Sequence, residues 1–265
     1  MYNTFQNSYS FISDIPNESL SDEDVIVQFF DTLFIHTKSG ILTESEITSS
    51  LVVQLITYMF INSEKKISQR ELSSMLWSNS EVISPNKQVQ NVVHRARKIL
   101  SSIFPYKLIS SDKSGNYFIN PQFNIITDIA TFDHYFCLGT DNNTSLNNKI
   151  EHLLHVLQIY KNMILPNYVG NNWLDNLRTH YHLLYLQTVF ILLPILFEKH
   201  AYSDVYAISS TALLYEPENS DIHFWYIRAM NELGGHDIAH KHFLQHIHVI
   251  SEEQRMLLSN IISKR

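Results

Sequence analysis

The run NKQVQNVVHRARKIL, residues 86–100, constrains the fold more than any other stretch of the chain. Projected at about 100° per residue, Val89, Val93, Ala96, Leu100 and Ile103 gather on one side, with Val92 and Ile99 beside them. Lys87, Asn91, His94 and Lys98 lie opposite, flanked by Gln90, Arg95 and Arg97. A helix divided in this way needs other elements to cover its apolar side. Its outer side holds no carboxylate.

Four of the nineteen Lys and Arg residues fall in those fifteen positions, although the chain carries a formal charge of −7. Residues 1–63 sum to −7, residues 64–120 to +5 and residues 121–265 to −5. A basic middle in an acidic chain points to a polyanionic partner. A solvated helix face is the other reading of the same composition.

With 45% hydrophobic and 17% charged residues in 265, the chain can bury one large core or two ordinary ones. Cys137 is the only cysteine, which rules out an internal disulfide and a cysteine-based zinc site and suggests a reducing compartment. No secretory signal is recognised at the N-terminus. The most apolar stretch, residues 181–197, falls short of the roughly 20 apolar residues of a membrane span. It holds His182, Gln187 and Pro194, so it reads as a buried helix bent at the proline. No membrane partner and a cytoplasmic location are expected.

Residues 1–24 read as a flexible, Ser/Asn/acid-rich leader. Residues 24–44 suit short strands broken by Lys38, Ser39 and Gly40. From Ser45 a helical period takes over. Ser68 and Glu71 form a capping-box pattern opening a second helix through Leu72, Met75, Leu76 and Trp77. Ser84 and Pro85 cap a third helix, which ends before Pro105. Two apolar runs around residues 111–115 then predict a hairpin with Gly115 in its turn. Helices are expected near 130–138, 147–162, 173–199, 203–214, 220–233 and 236–249. The last three form antiparallel pairs touching at Ala207, Ala212, Ala229 and Ala239.

Strands, three helices and a hairpin would hold the carboxylate-free face outward. Lys and Arg neutralise phosphates and release counterions, and Asn, Gln and Arg can bond base edges from a helix in the major groove. The predicted contacts are Lys87, Gln90, Asn91, His94, Arg95, Arg97 and Lys98 on the helix, and Lys113 and Asn116 on the hairpin. Arg97, at the side of the face, is expected on phosphate.

Three segments, SQRELSSMLW (68–77), NVVHRARKIL (91–100) and GNYFI (115–119), resemble the winged-helix domain of OmpR-type regulators. The variant they resemble most is that of the Streptomyces antibiotic regulatory protein family. ITDIATF (126–132) is similar to the Asp-x-x-x-Phe opening of that family's bacterial transcriptional activator domain. YKNMILPNYVGNNWLDNLR (160–178) and residues 212–243 resemble its later signatures, so the likeness covers roughly residues 25–250. The chain departs from the pattern at Ala96, Asn116, Asn162 and His223. The resemblance implies an α+β winged helix-turn-helix over 25–126, followed by an all-α, tetratricopeptide-like bundle over 127–265. It implies double-stranded DNA as partner, the 78–84 loop facing RNA polymerase, and a homodimer that forms on DNA. The expected function is transcriptional regulation of the activating kind. A protein-interaction or ligand-sensing module whose winged helix has lost DNA affinity is the alternative.

No phosphate loop, dinucleotide-binding glycine pattern or nucleophile elbow occurs, so no catalytic residue, cofactor or enzyme activity is expected. In HDIAHKHFLQHIH (236–248), His236/His240 and His242/His246 have i,i+4 metal-ligand spacing, but only Asp237 stands near to complete a set. Solvent-facing histidines and no metal site are expected. Trp77, Trp173 and Trp225 are expected as core anchors rather than a ligand cage.

Overall fold

The computed structural model describes residues 20–77 and 84–262. Most of the expected leader lies outside them, as does the 78–84 connection apart from Ser84. The packed chain nevertheless reaches back further than expected. Leu20 is buried against Ile26 and Phe34, and the Asp24 carboxylate accepts the Ser21 N–H at 2.9 Å and the Asn124 amide at 2.9 Å.

Two antiparallel hairpins begin the fold: β1 (Asp24–Gln28), β2 (Phe34–Thr37) and β3 (Gly40–Thr43), the second turning at Lys38 and Ser39. The helix expected from Ser45 starts later. Glu44–Glu46 is a 3-10 turn, because Glu46 accepts both the Thr43 N–H (2.7 Å) and the Thr43 hydroxyl (2.8 Å). Helix α1 (Ser50–Ile61) follows, then α2 (Gln69–Leu76) and α3 (Pro85–Leu100). Ser68 caps α2 by accepting the Glu71 N–H at 3.1 Å, while the Glu71 carboxylate accepts the Tyr58 hydroxyl at 2.7 Å. The hairpin is β4 (Ile109–Ser111) and β5 (Tyr117–Ile119), with Gly115 at φ +82° in its turn.

One strand escaped the sequence reading. β6 (Asn124–Thr127) pairs in parallel with β1 and completes a sheet of order β3-β2-β1-β6. A parallel neighbour needs a long crossover, here supplied by three helices and a hairpin.

Helices α4 (Asp128–Thr140), α5 (Leu146–Ile159) and α6 (Asn172–Glu198) come next. The motif residues at 128–178 fasten these helices to the sheet and to α1 and α2. Asp128, fully buried, accepts the N–H groups of Phe29 (2.8 Å), Phe30 (2.9 Å) and Ile129 (2.8 Å). Burial pushes its carboxyl up to about 7, against the downward pull of those same N–H donors. Phe132, one turn on, packs with Phe30 and Tyr181 at ring separations of 5.5 and 5.3 Å. Arg178 donates to the carbonyls of Ile164 (2.7 Å) and Leu165. That grip holds Leu165 in a left-handed backbone (φ +47°), which costs a residue with a side chain about 1–2 kcal/mol. Asn171 bonds Gln54 of α1 (2.6 Å) and the Met75 carbonyl of α2 (2.9 Å). Asn162 donates to Asp31 at 3.1 Å.

These ties explain where the chain divides by compactness. One unit runs to Leu183 and the other starts at Leu184, within α6. The boundary expected after Ile126 falls within one residue of the change from mixed strands and helices to helices alone. Helix α6 runs through Pro194 to Glu198 and is long and apolar enough to cross a membrane. It buries Tyr185, Val189, Leu192, Leu193 and Leu196.

The second unit continues with α7 (Tyr202–Tyr215), α8 (Ser220–Glu232), α9 (His236–Gln245) and α10 (Glu252–Ile262), the last absent from the sequence reading. Ala212, Ala229 and Ala239 are fully buried where helices meet, and Ala207 is half-buried. The expectation of solvent-facing histidines holds for His240 and His248. It fails for His242 and His246, which turn toward buried His223. Trp77, Trp173 and Trp225 are half-buried, with Trp173 edge-on to Tyr58 at 4.8 Å.

Candidate nucleic-acid interface

Helix α3 is placed by its apolar stripe. Val89, Val92, Val93, Ala96 and Leu100 are buried against α1 and α2. Each fully buried Val or Leu contributes about 1.5–3 kcal/mol relative to exposure, enough to fix the rotation of the helix about its axis. Pro85 occupies the first helical position, as expected. Ser84 caps differently from the expectation. It sits in the left-handed region (φ +57°), and its carbonyl, not its hydroxyl, takes the Lys87 and Gln88 N–H groups.

With the stripe inward, Lys87, Gln90, Asn91, His94, Arg95 and Lys98 are all exposed. Arg95 and Lys98 border a groove of about 500 Å³ that also touches Glu46 and Val52, so the outer face grades on one side into the start of α1.

Two predicted contacts are otherwise engaged. Arg97 is half-buried. Its Nε–H donates to the Ile109 carbonyl at 2.8 Å, its guanidinium lies 5.6 Å from the Tyr117 ring centroid, and burial lowers its pKa. It ties α3 to the β4–β5 hairpin, a tie that the sequence reading did not foresee. Asn116 is likewise taken up, its backbone and side-chain N–H groups both bonding Asp112, at 3.0 and 3.2 Å. Those bonds shape the hairpin turn and hold the Asp112 carboxyl below its ordinary range, with Lys66 a lesser contributor. Lys113, in the same turn, is exposed.

The structure adds cations that the helical projection could not find. Ile67 and Tyr117 exchange both backbone hydrogen bonds at 2.8 Å, an isolated bridge that joins the segment before α2 to β5. Exposed Lys65 and Lys66 are thereby carried to the hairpin, Lys66 lying 3.5 Å from Asp112 and 5.4 Å from the Phe118 ring centroid. Exposed Arg70 follows in the first turn of α2. The only sequence signal was the pair Lys65–Lys66, which reads equally well as a helix end.

No family model matches the chain, and no curated protein sequence matches it. A solved structure does: Mycobacterium tuberculosis EmbR in complex with a low-affinity phosphopeptide, with a TM-score of 0.62 and 13% identity over 91% of this chain. The chain spans about 65% of the length of that EmbR chain. At this identity the likeness concerns the fold, and it agrees with a winged helix followed by a helical domain.

Proposed function

We propose that the chain is a sequence-specific DNA-binding transcriptional regulator, in which α3 enters the major groove of double-stranded DNA and the β4–β5 hairpin follows the adjacent backbone. One observation carries this reading. The face of α3 turned away from the core presents Lys87, Gln90, Asn91, His94, Arg95 and Lys98 together, all exposed and without a carboxylate on the helix. Lysines and arginines so placed neutralise phosphates, while Asn91 and Gln90 have the donor–acceptor pairs that read adenine. The motif resemblance and the fold shared with EmbR support the same reading.

In this reading Arg97 and Asn116 are positioning residues. They set the angle of the hairpin against α3, so both halves of the interface reach one duplex. Lys65, Lys66, Arg70 and Lys113 take phosphates flanking the groove. The helices after β6 serve homodimerisation on DNA and contact with RNA polymerase, with activation as the outcome and the cytoplasm as the compartment. The connection assigned to the polymerase, 78–84, lies outside the described residues apart from Ser84.

Fluorescence anisotropy with genomic fragments at low salt tests the reading. Saturable binding whose logarithm falls linearly with log salt is expected, and Lys98→Ala should reduce that slope by about 1. No bound species at micromolar protein would overturn it in favour of a protein-interaction module.

A further inference from the structure

Helices α8 and α9 form a hairpin with a short connection at 233–235, so residues a similar distance either side of the turn meet. His223, in the first turn of α8, thereby faces His242 near the end of α9 and His246 at its C-cap. The three rings lie 4.2–5.1 Å apart between centroids, and one ring nitrogen from each falls within 4.8 Å of the other two.

Two main-chain carbonyls fix the tautomers. His223 Nε2 lies 2.8 Å from the Pro217 carbonyl and His246 Nδ1 lies 3.0 Å from the His242 carbonyl. A carbonyl only accepts, so each of those nitrogens carries the proton, and the opposite nitrogen of each ring, Nδ1 of His223 and Nε2 of His246, is a bare lone pair. A ring N–H anchored on a carbonyl is how metal-ligating histidines are commonly oriented. The third ring closes the set, with His242 Nε2 2.9 Å from His223 Nδ1. Because His223 Nδ1 is an acceptor, His242 Nε2–H is the donor.

We propose that His223, His242 and His246 form a binding site for a late first-row divalent cation of the Zn²⁺ type, which pins α8 to α9. The ion would take the place of the single proton between His223 and His242, and that proton would move to Nδ1 of His242. Zinc–nitrogen bonds of about 2.0–2.1 Å set tetrahedral nitrogens about 3.3 Å apart. Reaching that spacing asks the His223–His242 pair to open slightly and the partly exposed His246 ring to close in. Three imidazoles leave a fourth position for solvent. Burial, and then the neighbouring imidazoles, push His242 down to about 4, and burial also lowers His223, so both are neutral ligands at pH 7.

The site is tested on the full chain, prepared without a polyhistidine tag and stripped with chelator. Titration with Zn²⁺ should give one ion per chain, and Co²⁺ should give the intense visible bands of a four-coordinate ion. His246→Gln and His242→Phe should each weaken binding at least roughly tenfold. His240→Ala, an exposed histidine of the same helix, should leave it unchanged. If His242→Phe does not fold, the Co²⁺ spectrum and His246→Gln still decide. Absence of saturable uptake, several weakly bound six-coordinate ions, or an equal loss in His240→Ala would each overturn the site. Metal uptake is read without DNA, so this proposal and the DNA-binding one fail separately.

Discussion

Helices α3 and α9 carry polar runs that look alike in sequence, and the fold treats them oppositely. On α3 the cations Lys87, Arg95 and Lys98 stay in solvent. On α9 and its C-cap, His242 and His246 turn inward to meet His223. The difference lies in what each side chain can shed. An ammonium taken out of water costs several kcal/mol, whereas an imidazole goes in neutral and needs only hydrogen-bond partners. Two of the half-buried arginines differ in the same spirit. Arg97, in the first unit, gives its Nε–H to a carbonyl. Arg228, in the second, lies 4.0 Å from the Phe197 ring centroid and near Phe224 and Trp225, with its Nε unpartnered. Arg97 thus meets main chain, and Arg228 meets aromatic rings.

The largest effect should come from Asp128, the buried carboxyl of the first unit. Asp128→Ala strands the N–H groups of Phe29 and Phe30 and should cost about 3 kcal/mol in urea unfolding. Amide exchange should show that loss around β1 and α4 and leave α8 and α9 protected; loosening of both units alike would break the comparison.

Next comes Lys87→Ala with Lys98→Ala, expected to weaken binding to every DNA sequence by roughly 10- to 100-fold near physiological salt and to cut the salt slope by about 2. Stability should stay within about 0.5 kcal/mol. Asn91→Ala should instead change base preference in a randomised-site selection.

Arg97→Ala is the counterpart. It should lower stability by about 1.5 kcal/mol through loss of the Ile109 bond, which the lysine variants do not do. A purely electrostatic loss of DNA affinity with unchanged stability would return Arg97 to the phosphate role.

The smallest effect is one of pH, measured without metal. The folded value of His242, about 4, lies below its ordinary 6.5, so its contribution is complete above pH 6.5 and is lost as pH falls toward 4. Asp128, pushed up from 3.8 to about 7, has the opposite sign: its contribution is complete below pH 3.8 and declines as pH rises through 7. Acidification from pH 7 to 4.5 should therefore lower the amide protection factors (exchange relative to the unfolded chain at the same pH) in α8 and α9, by about tenfold once the partial exposure of His242 is discounted, and should not lower them in α4.

Most of the element order was legible because it rests on local signals: the period of Val89, Val93, Ala96 and Leu100, the Ser68 cap, the Gly115 turn. β6 was missed because four residues at a sheet edge, with Ile126 partly exposed, show neither alternation nor a buried run. Helix α10 was missed although it is regular, since it buries only Leu258 fully and its period is faint. Within the candidate interface, the exposed face of α3 could be drawn from the sequence alone. Lys65 and Lys66 could not be placed beside the hairpin, because the Ile67–Tyr117 pairing that carries them there joins residues fifty apart.

The sequence by itself determined that residues 85–100 are helical, which stripe of that helix is apolar, and hence that Lys87, Asn91, His94 and Lys98 face away from a core. Helical period is a property of neighbours in the chain and survives any choice of tertiary partner. Only the tertiary structure decided where polar groups find partners: Asp128 on amides nearly a hundred residues away, Arg97 on the hairpin, Asn116 in its own turn, and three histidines on one another. A buried polar atom settles on whichever complementary group the packed backbone brings within 3 Å, and sequence spacing carries no record of that encounter.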